Sequence, residues 1–194
     1  ERLLVLTIAA QDNAEQERRK RERDDAKVSD SFHANATPIV VALDGTVQRR
    51  YPMEGHVAAA AVSGDGERVA LNRWATPGID SSLTHPMLGV LDLHTGEVDE
   101  IGESGRFGGV PFWSMDGTRV LTTAISAPSP VGSSQLVGVG IEEDGVREFL
   151  TRGKPWCVEG IVRDTPSGVA IRIAQGVESR LVAVSDDGEV RDLA

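Results

Sequence analysis

Short apolar runs, broken by polar turns that carry glycine, follow one another along most of the chain. Three such phrases are "VAAAAVSGDG" (57–66), "GVPFWSMDG" (109–117) and "VEGIVRDTPSG" (158–168). Their closing glycines, Gly66, Gly117 and Gly168, are 51 residues apart (66 to 117 and 117 to 168). A fixed period of this size marks repeated supersecondary units. After each glycine comes a run rich in strand formers: "ERVALNRWA" (67–75), "TRVLTTAIS" (118–126) and "VAIRIAQGV" (169–177). A loop follows, then a third run starting near Met87, Gln135 or Arg180 and ending at a turn on Gly96, Gly145 or Gly188. A short fourth run ("EVDEIG", "VREFL", "EVRDLA") completes each unit. Alternation of this kind predicts strands, a to d in chain order, joined as an antiparallel meander.

Four strands per unit of this length suit a β-propeller blade. Asp-Gly recurs at 44–45, 65–66, 116–117, 144–145 and 187–188 and is expected to form type I′ hairpin turns. The opening "ERLLVLTIAA" aligns with "ERVALNRWA", so Glu1 matches Glu67 and would stand just after an absent strand a. "TPIVVALDG" and "TVQRRYP" then supply strands c and d. The expected fold is all-β: a β-propeller of four-stranded antiparallel blades, present as an incomplete arc of about four blades. Blade I is partial, residues 1–52 with an insertion over 10–37; blade II covers 55–102, blade III 107–150 and blade IV 155–194. Within the insertion, residues 14–27 ("AEQERRKRERDDAK") lack an apolar stripe. They read as a solvated helix or disordered loop, with a partner-binding prong as the alternative.

The phrase "PFWSMDGTRVL" (111–121) resembles the Trp-Ser-Pro-Asp-Gly repeat of TolB-like propellers, a WD40-like repeat of the PD40 type, with Met115 in place of the usual proline. "AVSGDGERVAL" (61–71) and "IVRDTPSGVAI" (161–171) are fainter copies, and "LGVLDLHTGEVDEI" resembles that family's c–d hairpin. The resemblance spans nearly the whole chain outside residues 10–36. It implies structural roles for the repeat: Trp113 packs, Ser114 and Asp116 bond the turn, and Gly117 permits it. It also implies an extracytoplasmic or cell-envelope location. Three functions go with such repeats: a non-catalytic scaffold binding a protein or peptide, the propeller cap of a prolyl-oligopeptidase-type peptidase, and a propeller lyase acting on polysaccharide. The first is preferred here.

Charge narrows the partners. A net charge of −10 argues against nucleic acid, whose phosphates need a positive footprint. No apolar run approaches the ~18 residues of a membrane helix, so no membrane insertion is expected. "LLVLTIAA" has neither the positive leader nor the cleavage site of a signal peptide. The chain opens on Glu1, so a trimmed or longer parent is expected, with six to eight blades as in other propellers, about that many; a homodimer of arcs is the rival. Cys157, the single cysteine, excludes an intrachain disulfide and reads as a small buried hydrophobe.

No nucleophile elbow, zinc motif or calcium loop is present, so no catalytic residue, metal or cofactor is assigned. The four histidines (33, 56, 85 and 94) follow no ligand spacing. Every glycine turn joins strands a–b or c–d, which leaves the b–c and d–a loops as the elaborated face. Candidate partner-binding residues on that face are Trp74, His85, Arg106, Phe107 and Trp156, with His33 and Lys154 nearby.

Overall fold

The computed structural model describes residues 2–8, 18, 21–22, 34–84, 86–105, 109–125, 132–142, 147–185 and 187–193. It is all-β, with four antiparallel sheets. The first is β1 (Arg2–Ile8), β2 (Ala36–Ala42) and β3 (Val47–Arg50). The second is β4 (His56–Val62), β5 (Arg68–Trp74), β6 (Met87–Asp92) and β7 (Val98–Glu103). The third is β8 (Phe112–Trp113), β9 (Arg119–Ile125), β10 (Ser134–Gly140) and β11 (Arg147–Phe149). The fourth is β12 (Cys157–Thr165), β13 (Gly168–Gln175), β14 (Glu178–Val184) and β15 (Val190–Asp192). Strand order in space follows chain order in every sheet, so each is a meander.

The sheets stack face to face because their central strands carry apolar residues on both sides, as a doubly covered sheet requires. Val69 and Leu71 of β5 pack towards the first sheet with Val40, Tyr51, Leu4 and Leu6. Ala70, with Leu88 and Val90 of β6, packs towards the third sheet against Trp113, Val120, Val137 and Val139. Leu121, Leu136 and Leu150 of the third sheet meet Val169, Ile171, Ile173 and Val182 of the fourth. Small and branched aliphatic side chains fill these layers, as the sparse aromatic content requires.

Polar ties cross each junction. Arg49 donates to the carbonyls of Leu93, His94 and Thr95, and the Tyr51 hydroxyl donates to Leu93, so the first sheet caps the β6–β7 turn of the second. The Trp113 indole donates to Ala61 O at 2.9 Å, with the Arg68 guanidinium 5.1 Å from its ring centre. Asp164 accepts from Met115 N at 2.7 Å.

Two expectations change. The insertion was placed over 10–37, but Ala36 and Thr37 belong to β2 and pair with Ile8 and Thr7. The Asp-Gly turns at 44–45, 65–66, 116–117 and 187–188 are also not type I′, while 144–145 lies outside the described residues. The amides of Gly45, Gly66, Gly117 and Gly188 donate to the residue three positions earlier, so each glycine ends its turn rather than sitting at its centre. Only that last residue needs the left-handed region, where Gly66 (φ 76°) and Gly117 (φ 69°) lie. Serine completes the device. Ser63 and Ser114 each donate to the aspartate two residues on and accept from the amide five residues on. Ser185 makes a related turn in a c–d hairpin, its Oγ donating to Asp187 and accepting from the Glu189 amide, four residues on.

A candidate binding cleft at the inner strands

The first strand of each sheet is its inner edge. Blade III contributes only the two-residue β8 there, between the seven residues of β4 and the nine of β12. The stretch Gly109-Val110-Pro111 ahead of β8 explains the brevity, since glycine weakens a strand and proline cannot donate to its ladder. The short strand leaves an open cleft of about 770 Å³ at the a–b turn end, lined by Ala61, Val62, Phe112, Met115, Val162 and Pro166 among others. Val62, Met115 and Val162 are exposed there.

The walls of this cleft are fixed by side chains bonded elsewhere. Asp164 holds the Met115 amide through Oδ2 and accepts from Thr165 N through Oδ1 at 2.9 Å. Trp113 is tied to Ala61 O. The Asp116 carboxylate accepts from Ser114 Oγ (2.6 Å), Thr118 N (3.0 Å) and Thr118 Oγ1 (2.8 Å). Those bonds, the serine's first, hold its pKa down to about 2. Asp65 and Asp187 are lowered by the same serine contact. At neutral pH these carboxylates are ionised and occupied by their own turns. Arg163 is exposed at the rim.

Of the five residues expected on the opposite, long-loop face, Trp74 and Trp156 are among the described residues. Trp74 ends β5, half-buried, with its ring 5.8 Å from that of His56 and its indole nitrogen without a partner. It borders a smaller hollow of about 350 Å³ with Glu54, Arg73, Met87 and Glu100. Arg73 spans this hollow, donating to Glu100 at 3.1 Å and to Glu54 O at 3.1 Å. His56 Nδ1 accepts from Ala36 N at 3.0 Å, and burial lowers its pKa, so it serves as a neutral structural acceptor. Trp156 is buried in the layer between the third and fourth sheets, 8% exposed. His33, His85, Arg106 and Phe107 lie outside the described residues. Cys157 corrects a further expectation: it is exposed, because it starts β12 on the side opposite Trp156 and Val158.

Among the described residues no group of three or more His, Cys, Asp or Glu side chains could hold a metal. No helix among them is long and apolar enough to cross a membrane. Sequence reasoning missed the cleft because Met115 drew notice only as a replacement for proline. The signal was there in Val62 and Val162, apolar residues at matching ends of two inner strands.

Four antiparallel meanders stacked face to face, their first strands turned to a common inner side, define an incomplete β-propeller. A protein named as TolB from Agrobacterium tumefaciens superposes with a TM-score of 0.62 at 17% identity, over 86% of this chain and 58% of that one. Puromycin hydrolase gives 0.60 at 18% identity, over 81% of this chain and 27% of that one. The acylaminoacyl peptidase of Pyrococcus horikoshii gives 0.60 at 13% identity, over 100% of this chain and 29% of that one. The chain thus spans between about a quarter and three-fifths of the length of these structures. At such identities the likeness is one of fold. No protein-family model matches the chain, and no curated protein matches it in sequence.

Proposed function

We propose that this protein is a non-catalytic, TolB-like propeller scaffold that binds a peptide or protein segment in the cleft at its inner strands. The observation that carries this reading is the open cleft of about 770 Å³ with Val62, Met115 and Val162 exposed along it. Exposed apolar side chains gathered in a concave, hydrogen-bonded frame suit a partner that buries apolar side chains of its own. The long-loop face was the sequence-based expectation. It offers the smaller hollow, bordered by Glu54 and Glu100 and spanned by Arg73. A cell-envelope location belongs to the same proposal.

The test is selection from a phage library of short random peptides, followed by mapping of chemical shifts. The reading expects enriched peptides with apolar side chains and shift changes at Val62, Met115 and Val162. It also expects binding to be lost in Met115→Glu and Val162→Glu, both surface changes that spare the fold. Shift changes confined to Trp74 and Arg73, or undiminished binding by both variants, would overturn it. A second reading is the propeller part of a larger peptidase. Alignment with the Pyrococcus peptidase along the whole chain supports it. A native mass well above 20.7 kDa, with hydrolase activity in the same polypeptide, would favour that reading.

A further inference from the structure

The two ends of the arc are built differently. In the second, third and fourth sheets, the second and fourth residues of β5, β9 and β13 face the preceding blade. These are Val69 and Leu71, Val120 and Thr122, and Val169 and Ile171, and all are buried, 0–3% exposed. The alignment of Glu1 with Glu67 puts Leu3 and Val5 at these positions in the first sheet. There they are 52% and 38% exposed. Leu4 and Leu6, on the other face of β1, pack into the layer with the second sheet. Among the described residues no strand pairs with the second edge of β1, since its sheet order is β1-β2-β3, whereas β5, β9 and β13 are each flanked by an inner strand. Among the described residues, both the backbone edge and one apolar face of β1 therefore lack the cover their counterparts have.

The far end shows the opposite chemistry. Registers across the fourth sheet put Arg163, Ala170, Ala183 and Arg191 in one row and Gly160, Arg172 and Leu181 in the next, on the face turned away from the third sheet. In β5 the fifth residue, Asn72, is 1% exposed and donates to Gly109 O ahead of the third sheet; β13 has Arg172 at that place. Its side chain is 62% exposed and ion-paired to Glu159 at 2.9 Å. Arg163 and Arg191 are exposed beside it. Apolar packing against this face would strip water from three guanidinium groups.

We propose that β1 is the receiving end of the propeller. It accepts an extended strand of the β4 type, antiparallel to it and joined to it through a Ser-x-Asp-Gly turn, with an apolar blade face covering Leu3 and Val5. The chain's own repeat defines this occupant, because β4, β8 and β12 hold the same place in their sheets. Blade IV of a second copy does not fit, since its outward face would set Arg163, Arg172 and Arg191 against Leu3 and Val5.

The experiment is an extension of the full chain. A copy of residues 56–66, "HVAAAAVSGDG", is placed directly ahead of Glu1, and amide exchange is read along β1. Hydrogen-bonding the free edge should slow β1 amides by roughly tenfold or more, since ~1.4 kcal/mol of net bonding is a factor of ten. The same extension with its central alanines replaced by prolines should leave β1 exchange unchanged, because proline cannot donate to the ladder. Equal slowing by both extensions, or by neither, would overturn the proposal. So would a chain that is already dimeric without any extension and whose β1 amides are already slow, because a second copy would then hold the edge. Leu3→Glu and Val5→Glu, both at exposed sites, should keep the thermal midpoint of the unextended chain.

Discussion

Replacement of Trp113 probes how the blades hold one another. The side chain is buried in the layer between the second and third sheets, donates to Ala61 O at 2.9 Å and lies under the Arg68 guanidinium. Trp113→Ala removes the largest side chain of that layer, and such truncations cost ~3–5 kcal/mol. Trp113→Phe keeps most of the apolar volume but strands the Ala61 carbonyl, a loss of ~1–2 kcal/mol. With a urea slope of roughly 2 kcal/mol per molar, the alanine variant should lower the unfolding midpoint by about 1.5–2.5 M and the phenylalanine variant by about 0.5–1 M. The alanine cost is a large part of a total stability of roughly 5–15 kcal/mol, so that variant should be folded only at low urea. Equilibrium urea unfolding followed by circular dichroism gives both numbers. A phenylalanine shift as large as the alanine shift would refute the division between packing and hydrogen bond. An alanine shift below about 0.5 M would refute burial of the ring between sheets.

Other outcomes follow from the turns and the buried polar groups. Asp116 has a folded pKa of about 2 against 3.8, so it stabilises the fold at pH above 3.8 and that contribution fades as pH falls through 2. Thermal midpoints should drop across that window, and less steeply in Asp116→Asn, whose turn no longer titrates. Gly168→Ala should destabilise by more than ~2 kcal/mol, because φ is 113° and a Cβ would stand 2.3 Å from Val184 O. Gly66→Asn, at φ 76° with open space around it, should cost far less; paired thermal melts check the contrast. Thr151→Val should cost ~1–3 kcal/mol in urea unfolding, since the buried Oγ1 accepts from Leu136 N at 2.9 Å and donates to Gln135 Oε1 at 3.0 Å.

The repeat itself was legible because its signals are local. Glycine spacing and strand-forming runs located β5, β9 and β13 to within a residue or two, and the fold class came with them. Turn geometry was misread because Asp-Gly suits both type I′ turns and turns that end on glycine. A serine two residues before the aspartate marks the second kind at 63, 114 and 185, while the turn at Gly45 forms with Ala42 in that place. The cleft could not be read because it depends on how far one inner strand extends relative to its neighbours. Burial of Trp156 and exposure of Cys157, adjacent in sequence, follow from which way β12 presents alternate side chains once the third sheet is against it. The difference between the ends became visible only with burial, which covers Asn72, the fifth residue of β5, and exposes Arg172, the fifth of β13.

Four sheets repeat one unit, and among the described residues the first lacks cover on its inner edge. Residue-resolved amide exchange on the unmodified chain tests this most directly. Exchange in β5, β9 and β13 should be slow and similar, with β1 faster by roughly a hundredfold, the effect of losing ~2.7 kcal/mol of local protection. Exchange in β1 as slow as in β5 would contradict the claim.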